Sequence, residues 1–327
     1  MNPASSTAAV LASTRRLIPQ IGIVLALVLI ALALGLSNGN FFTAYNLSNV
    51  LRQVSINGIL AVGMTFVIVT GGIDLSVGSL LAFTGMVAAS AVSGASALNP
   101  LAGAALAIAA GAALGACNGG LIAYLRLPAF VVTLGMLSAA RGLTLIWNDG
   151  MPISNLPEAF KFLGQGQWLG VPAAAVIFIT VTALAWIALR YTVYGRWIYA
   201  VGGNIRSARL SGIGTTGIVF SVYVLMGALS GMAGTILTAR TTAALPQAGV
   251  GYELDAIAAV VIGGTSLAGG VGSVLFTLVG VLIIGVINNG LDLLGVSSYY
   301  QQVIKGVIIV GAVLIDRARR REGGWPA

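Results

Sequence analysis

The sequence predicts an all-α, polytopic membrane protein of about ten transmembrane helices, and three observations carry that reading. Of 327 residues, 58% are hydrophobic and 7% charged, with a mean hydropathy of +1.00, whereas a soluble domain carries about 25% charged residues. Runs such as 21–36, 101–114 and 303–315 are apolar on every side, which fits helices in hydrocarbon rather than the alternating strands of a membrane barrel. Each crossing of a ~30 Å bilayer core needs ~20 apolar residues. The chain supplies candidate spans at 17–38, 54–72, 76–94, 100–124, 128–147, 171–190, 217–238, 253–267, 271–290 and 299–316. Glycines 263, 264, 269 and 270 interrupt the apolar run around 253–290, leaving open two spans or a re-entrant hairpin there.

The whole chain reads as one membrane domain, residues 1–327. The 45 glycines suit close helix contacts in lipid, and Cys117, the single cysteine, reads as a small packing residue. No histidine is present, so imidazole metal sites and His-based proton relays are excluded. The net charge of +8 sits between apolar spans, the pattern of membrane orientation rather than of nucleic-acid binding. With the N-terminus inside, eleven of the sixteen basic residues fall in cytoplasmic segments. Nine lie in a tail at 1–16, a loop at 191–216 and a tail at 317–327, and Arg126 and Arg190 lie at span ends on the same side, so both termini are predicted to be cytoplasmic. Trp147, Trp168, Tyr191, Trp197 and Tyr299 lie near span ends, where amphipathic rings prefer the interface. The first span lacks a following A-x-A cleavage site and reads as a retained anchor. The larger external segment is 148–170.

No P-loop is possible: the two lysines, Lys161 and Lys305, follow Phe160 and Ile304 rather than glycine. Energy from ATP must therefore come from another chain. In the loop 194–213, Asn204 is a good N-cap, 205–211 can form a short helix, and Gly212 suits the position after it. That helix would display Arg206 and Arg209, either as a docking element or as an ordinary positive connector. In GGIDLSVGS (71–79), two glycines break a helix and Asp74 is placed to cap the next, at the interface or on a pathway. A related string, GGTSLAGGVGS (263–273), recurs in the second half. Paired glycine breaks point to a transport site, although both strings are predicted to face the same side. Candidate pathway or gate residues are Thr70, Asp74, Ser76, Asn118, Thr265, Ser266 and Asn288. Their neutral polarity fits a sugar better than an ion. Lys305 is expected to pair with Asp292 or Glu253.

These strings resemble the permease subunit of bacterial ribose-type monosaccharide ABC importers, in the branched-chain amino acid/ribose permease family. The resemblance covers residues 40–316 and is sharpest in AVGMTFVIVTGGIDLSVGS (61–79), 195–213, GYELDAIAAVVIGGTSLAGG (251–270) and NNGLDLLGVSSYY (288–300). It implies a type II ABC importer fold working with a second permease copy or a paralogue. Cytoplasmic P-loop ATPases would hold ATP and Mg2+, and a periplasmic sugar-binding protein would deliver the monosaccharide. No cofactor is expected on this chain, which is a transporter subunit and not itself an enzyme. Gly195, Arg196, Gly202, Asn204, Ala208 and Gly212 match the family's ATPase-coupling loop, and Arg206 and Arg209 make it more basic than usual. The region after Met151 is expected to hold receptor contacts. The cargo is expected to be ribose, and rival readings are an ion-driven secondary carrier, a passive channel, or an ABC permease for another sugar, a nucleoside or a branched-chain amino acid.

Overall fold

A computed structural model describes residues 21–94 and 97–322. The predicted tail 1–16 lies outside them, and of the tail 317–327 only a helical backbone to residue 322 is described. Asn99 begins α4 (Pro100–Ala123) by accepting from the Ala102 amide at 2.8 Å, with Pro100 preset for the first turn. Thr43 caps α2 (Ala44–Val69), while Pro128 and Pro172 precede α5 (Ala129–Trp147) and α7 (Ala173–Tyr191). The remaining long helices are α10 (Thr215–Thr241) and α12 (Val274–Leu293). These six are long and apolar enough to cross a membrane, and the shorter apolar helices α1 (Ile21–Ser37) and α3 (Val77–Val92) join them, with α13 (Ser298–Glu322) closing the chain. The segment predicted to be external forms a short amphipathic helix, α6 (Glu158–Gln165), and a hairpin of β1 (Gln167–Trp168) and β2 (Val171–Pro172).

The ambiguous run around 253–290 resolves into unequal helices. α11 (Tyr252–Ile262) has 11 residues and rises only ~16 Å, about half of a bilayer core. It runs antiparallel to α12, with Gly280 against the Ala259 carbonyl and Gly263 against that of Phe276.

Small residues set the packing at the centre. Gly111, Gly115 and Gly119 of α4 lie on the backbone of Gly227, Tyr223 and Phe220 of α10, where any side chain would collide. Such stripes let helices approach closely where no hydrophobic effect drives them together. α2 runs antiparallel to α10, placing Gly63 beside Met226 and Gly72 beside Tyr223.

The two halves of the bundle are built alike. After α2 comes a non-helical stretch, 70–76, and then the shorter α3; after α10 comes 242–251, and then the short α11. α4 packs on α10 as α12 packs on α2, and α3 meets α5 as α11 meets α13. Because α2 and α10 are antiparallel, α10–α13 repeats α2–α5 with directions inverted. The structural counterpart of the break at 70–76 is therefore 242–251, not the similar glycine string at 263–273. The first turn of α3, just past the first break, meets the second break: a side chain at Gly78 would strike the Gly249 carbonyl, and also the Glu253 carboxylate of α11. Arg141 of α5 anchors the second break by donating to the Pro246 and Ala248 carbonyls at 2.6 and 3.0 Å.

Candidate functional site

Residues 193–210 form two helices, α8 (Val193–Gly203) and α9 (Ile205–Leu210), with Asn204 between them. Thr192 caps α8 by accepting from the Gly195 amide at 3.2 Å. Gly195 lies so close to the Ala188 and Leu189 carbonyls that the corner from α7 into α8 has no room for a side chain. Asn204 accepts from the Arg206 and Ser207 amides at 3.0 and 2.9 Å, the capping role its residue type favours. At the far end Gly212 adopts φ +82° and donates to the Arg209 carbonyl, while Ile213 donates to that of Ala208. Those two bonds satisfy carbonyls that the helix end would otherwise leave open. Ala208 is buried, whereas Arg206 and Arg209 are exposed.

The seat of α8 is the central geometric finding. Gly202 rests directly on the Val69 carbonyl at the end of α2 and on the Gly270 amide in the 263–273 loop; a Cβ there would overlap both. Those two neighbours are themselves bonded, Gly270 donating to Val69 at 2.9 Å. Gly269, at φ +86°, fits between the Gly202 carbonyl and the Gly71 amide. The Tyr199 hydroxyl adds a bond of 2.8 Å to the Gly272 carbonyl, and Tyr194 is bonded to Ser221 of α10 at 2.8 Å. Burial pushes both phenols above their ordinary range, with the Ser221 bond opposing it for Tyr194 and the charge of Arg190 for Tyr199. Both remain protonated near neutrality. The two glycine strings thus converge at one end of the bundle, and α8 touches the second string and Val69, just before the first.

Above this junction, Asp74, Ser76 and Asn118 form one buried network. Asp74 is fully buried, and its Oδ1 accepts from the Ser76 amide at 2.8 Å and the Ser76 hydroxyl at 2.6 Å. Asn118 of α4 donates to the same hydroxyl at 3.0 Å. The sequence predicts that Asp74 caps α3, and it does not. The helix begins at Val77, so the carboxylate closes a turn one step earlier, over Ser76. Asp74 Oδ2 and Asn118 Oδ1 have no partner among the described residues.

The other candidates are dispersed. Thr70 turns back on the Val67 carbonyl at 2.8 Å. Thr265 is buried with its hydroxyl unpartnered, and the Ser266 amide donates within the loop to Val271. Asn288 is buried fourteen residues into α12 from Val274, about 21 Å along the helix from that loop. Lys305 pairs with Asp255 at 2.9 Å, not with Asp292 or Glu253; Asp292 accepts from Gln301 instead. Sequence reasoning did not single out Val69 and Tyr199, which act through a backbone carbonyl and a hydroxyl, and it read Gly270 only as a break in an apolar run.

Two cavities flank the junction. One of about 400 Å³ lies between the end of α2 and α9, lined by Thr70, Gly71, Arg126, Arg206 and Arg209. The other, about 670 Å³, takes in Arg190 and Arg196 together with Tyr199 and the 270–273 backbone. Arg196 therefore lines a different cavity from Arg206 and Arg209.

Comparison with known proteins assigns the family. Over 308 residues the chain is 51% identical to the ribose import permease protein RbsC of Escherichia coli (strain K12), covering 93% of this chain and 95% of that one. It is 46% identical to the protein of the same name in Bacillus subtilis (strain 168), over 92% and 93% of the two chains. Identity to the L-arabinose ABC transporter permease protein AraH of Azospirillum brasilense is 39%, over 94% and 90%. No solved structure matches. Residues 46–313 match the family described as the permease component of branched-chain amino acid transport systems, and the chain, a multi-pass membrane protein, belongs to that family.

Proposed function

We propose that this chain is the membrane-spanning subunit of an ATP-driven importer that moves ribose into the cytoplasm by alternating access. The cargo rests on identities of 46–51% to permeases named for ribose, against 38–39% to those named for allose and arabinose. The chain would span the inner membrane about ten times, in a type II importer fold, with both termini and the α8–α9 end cytoplasmic. It would pair with a second permease copy or a paralogue, take ribose from a periplasmic binding protein, and dock P-loop ATPases that hold ATP and Mg2+.

The observation that carries the mechanism is the seat of Gly202 on Val69 and Gly270. A push on α9 passes through α8 to the end of α2, which leads into the break at 70–76, and to the loop joining α11 to α12. Both are non-helical links, free to change φ/ψ while the helices on either side move as rigid bodies. Arg206 and Arg209 face outward for the ATPase, and the Asp74–Ser76–Asn118 network sits where the first break would open. Zwitterionic cargo finds no free charge pair at Asp255 and Lys305, which neutralise each other.

The test is co-purification of the permease with its ATPase, followed by ATP turnover with the receptor present. Ribose should stimulate turnover more than arabinose or allose at equal receptor occupancy. Equal stimulation by all three would remove ribose as the cargo.

A further inference from the structure

The larger cavity shares Arg196 and Tyr199 with the coupling loop, but its apolar side is used neither by the transport route nor by the ATPase docking proposed above. Its floor is apolar and lies within the spans: Ile23 of α1, Trp186 and Leu189 of α7, and Phe276 of α12. Trp186 is five residues before the end of α7, about 7 Å into the bundle, and packs edge-on against Tyr191 with ring centroids 5.2 Å apart. An aromatic pair at that level marks the headgroup boundary. Its rim is cationic: Arg190 from the last turn of α7 and Arg196 from α8. No described carboxylate lines the cavity, and neither arginine takes part in an ion pair among the described residues.

We infer that this cavity holds an anionic phospholipid, its headgroup phosphate between Arg190 and Arg196 and its chains along Ile23, Trp186 and Phe276. A volume of about 670 Å³ falls within the range of about 300–1,000 Å³ usual for ligand sites. Basic pockets between spans at the cytoplasmic side are where anionic headgroups are captured. A docking loop of a soluble partner would meet the rim but not the membrane-level floor, which favours a lipid over a protein. The occupant would also lean on the coupling junction, because Tyr199 and the 270–272 backbone form one wall. Lipid binding is a property of the permease alone, so it stands or falls separately from the transport reading.

The experiment is native mass spectrometry of the full chain in detergent, incubated with equal phosphatidylglycerol and phosphatidylcholine. Wild type should retain phosphatidylglycerol at least fivefold over phosphatidylcholine. The double variant Arg190→Gln/Arg196→Gln should lose that preference, while Arg126→Gln/Arg209→Gln, which removes the same charge outside the cavity, should keep it. Elution profile and melting temperature of each variant establish that it is folded, and Trp186→Ala provides a second, charge-neutral probe that should weaken retention. Equal retention of both lipids by wild type, or unchanged preference in Arg190→Gln/Arg196→Gln, would overturn the site. Displacement of the lipid by millimolar glycerol phosphate would overturn its assignment to a lipid, leaving a soluble-phosphate site.

Discussion

Gly202→Ala is the sharpest perturbation available. The added methyl would overlap the Val69 carbonyl oxygen and the Gly270 amide nitrogen, both backbone atoms that cannot swing aside. Forcing a group into such a contact costs about 1–3 kcal/mol. Separating Val69 from Gly270 forfeits their 2.9 Å hydrogen bond, about 1 kcal/mol more. Together this is about 2–4 kcal/mol, a factor of about 30–700 in the fraction of molecules with α8 seated. The neighbouring Gly203→Ala is an internal control, because a Cβ there meets nothing within 4 Å. In proteoliposomes containing ATPase and receptor, Gly202→Ala should lose ribose uptake by at least tenfold while ATP hydrolysis persists and no longer responds to ribose. Gly203→Ala should behave as wild type. Normal ribose-stimulated turnover in Gly202→Ala would refute the idea that α8 transmits force through this seat.

Three further predictions concern the same framework. Asn204→Ala removes the cap on α9, costing about 1 kcal/mol, and should weaken ATPase association in pull-down several-fold without affecting membrane insertion. Lys305→Met leaves the Asp255 carboxylate, 2% exposed, without its partner; the cost of about 3–5 kcal/mol should appear as a lowered melting temperature, most of it recovered in Asp255→Leu/Lys305→Met. Tyr199→Phe should reduce coupling by removing the bond to Gly272. Because burial raises the Tyr199 phenol above its ordinary 10.0, the neutral donor persists below that value. Its stabilising bond is lost only as pH climbs through the raised pKa. The difference between wild type and Tyr199→Phe should therefore be flat from about pH 6 to 9, and a difference that fades near pH 8 would contradict the assigned burial.

Much of this architecture is legible in the residues themselves, because lipid imposes simple rules. A chain with 7% charge has few folds open to it, and Asn204 and Gly212 announce a short helix by residue type alone. What local sequence cannot reveal is which breaks are structural partners. The strings 71–79 and 263–273 meet at one junction through Gly71, Gly269 and Gly270, whereas Gly72, Gly78 and Gly263 serve close approaches elsewhere, so their likeness does not make them counterparts. The true counterpart of 70–76, residues 242–251, shares its position in an inverted repeat and not its composition. The same limit applies to Lys305. Positions near the same predicted face suggest Asp292 or Glu253 as partners, but the packing of α13 on α11 brings Asp255 instead. Asp74 looks like a cap from its place before α3, yet burial beside Asn118 turns it into part of a cross-helix network.

Whether ATP hydrolysed by a partner drives ribose through this chain is decided by uptake of radiolabelled ribose into proteoliposomes containing the permease, its ATPase and the sugar receptor, with and without ATP. Ribose should accumulate above its external concentration only with ATP, receptor and ATPase together, and ionophores should leave that accumulation unchanged. Uptake that persists without ATP and collapses when an ion gradient is dissipated would contradict drive by ATP.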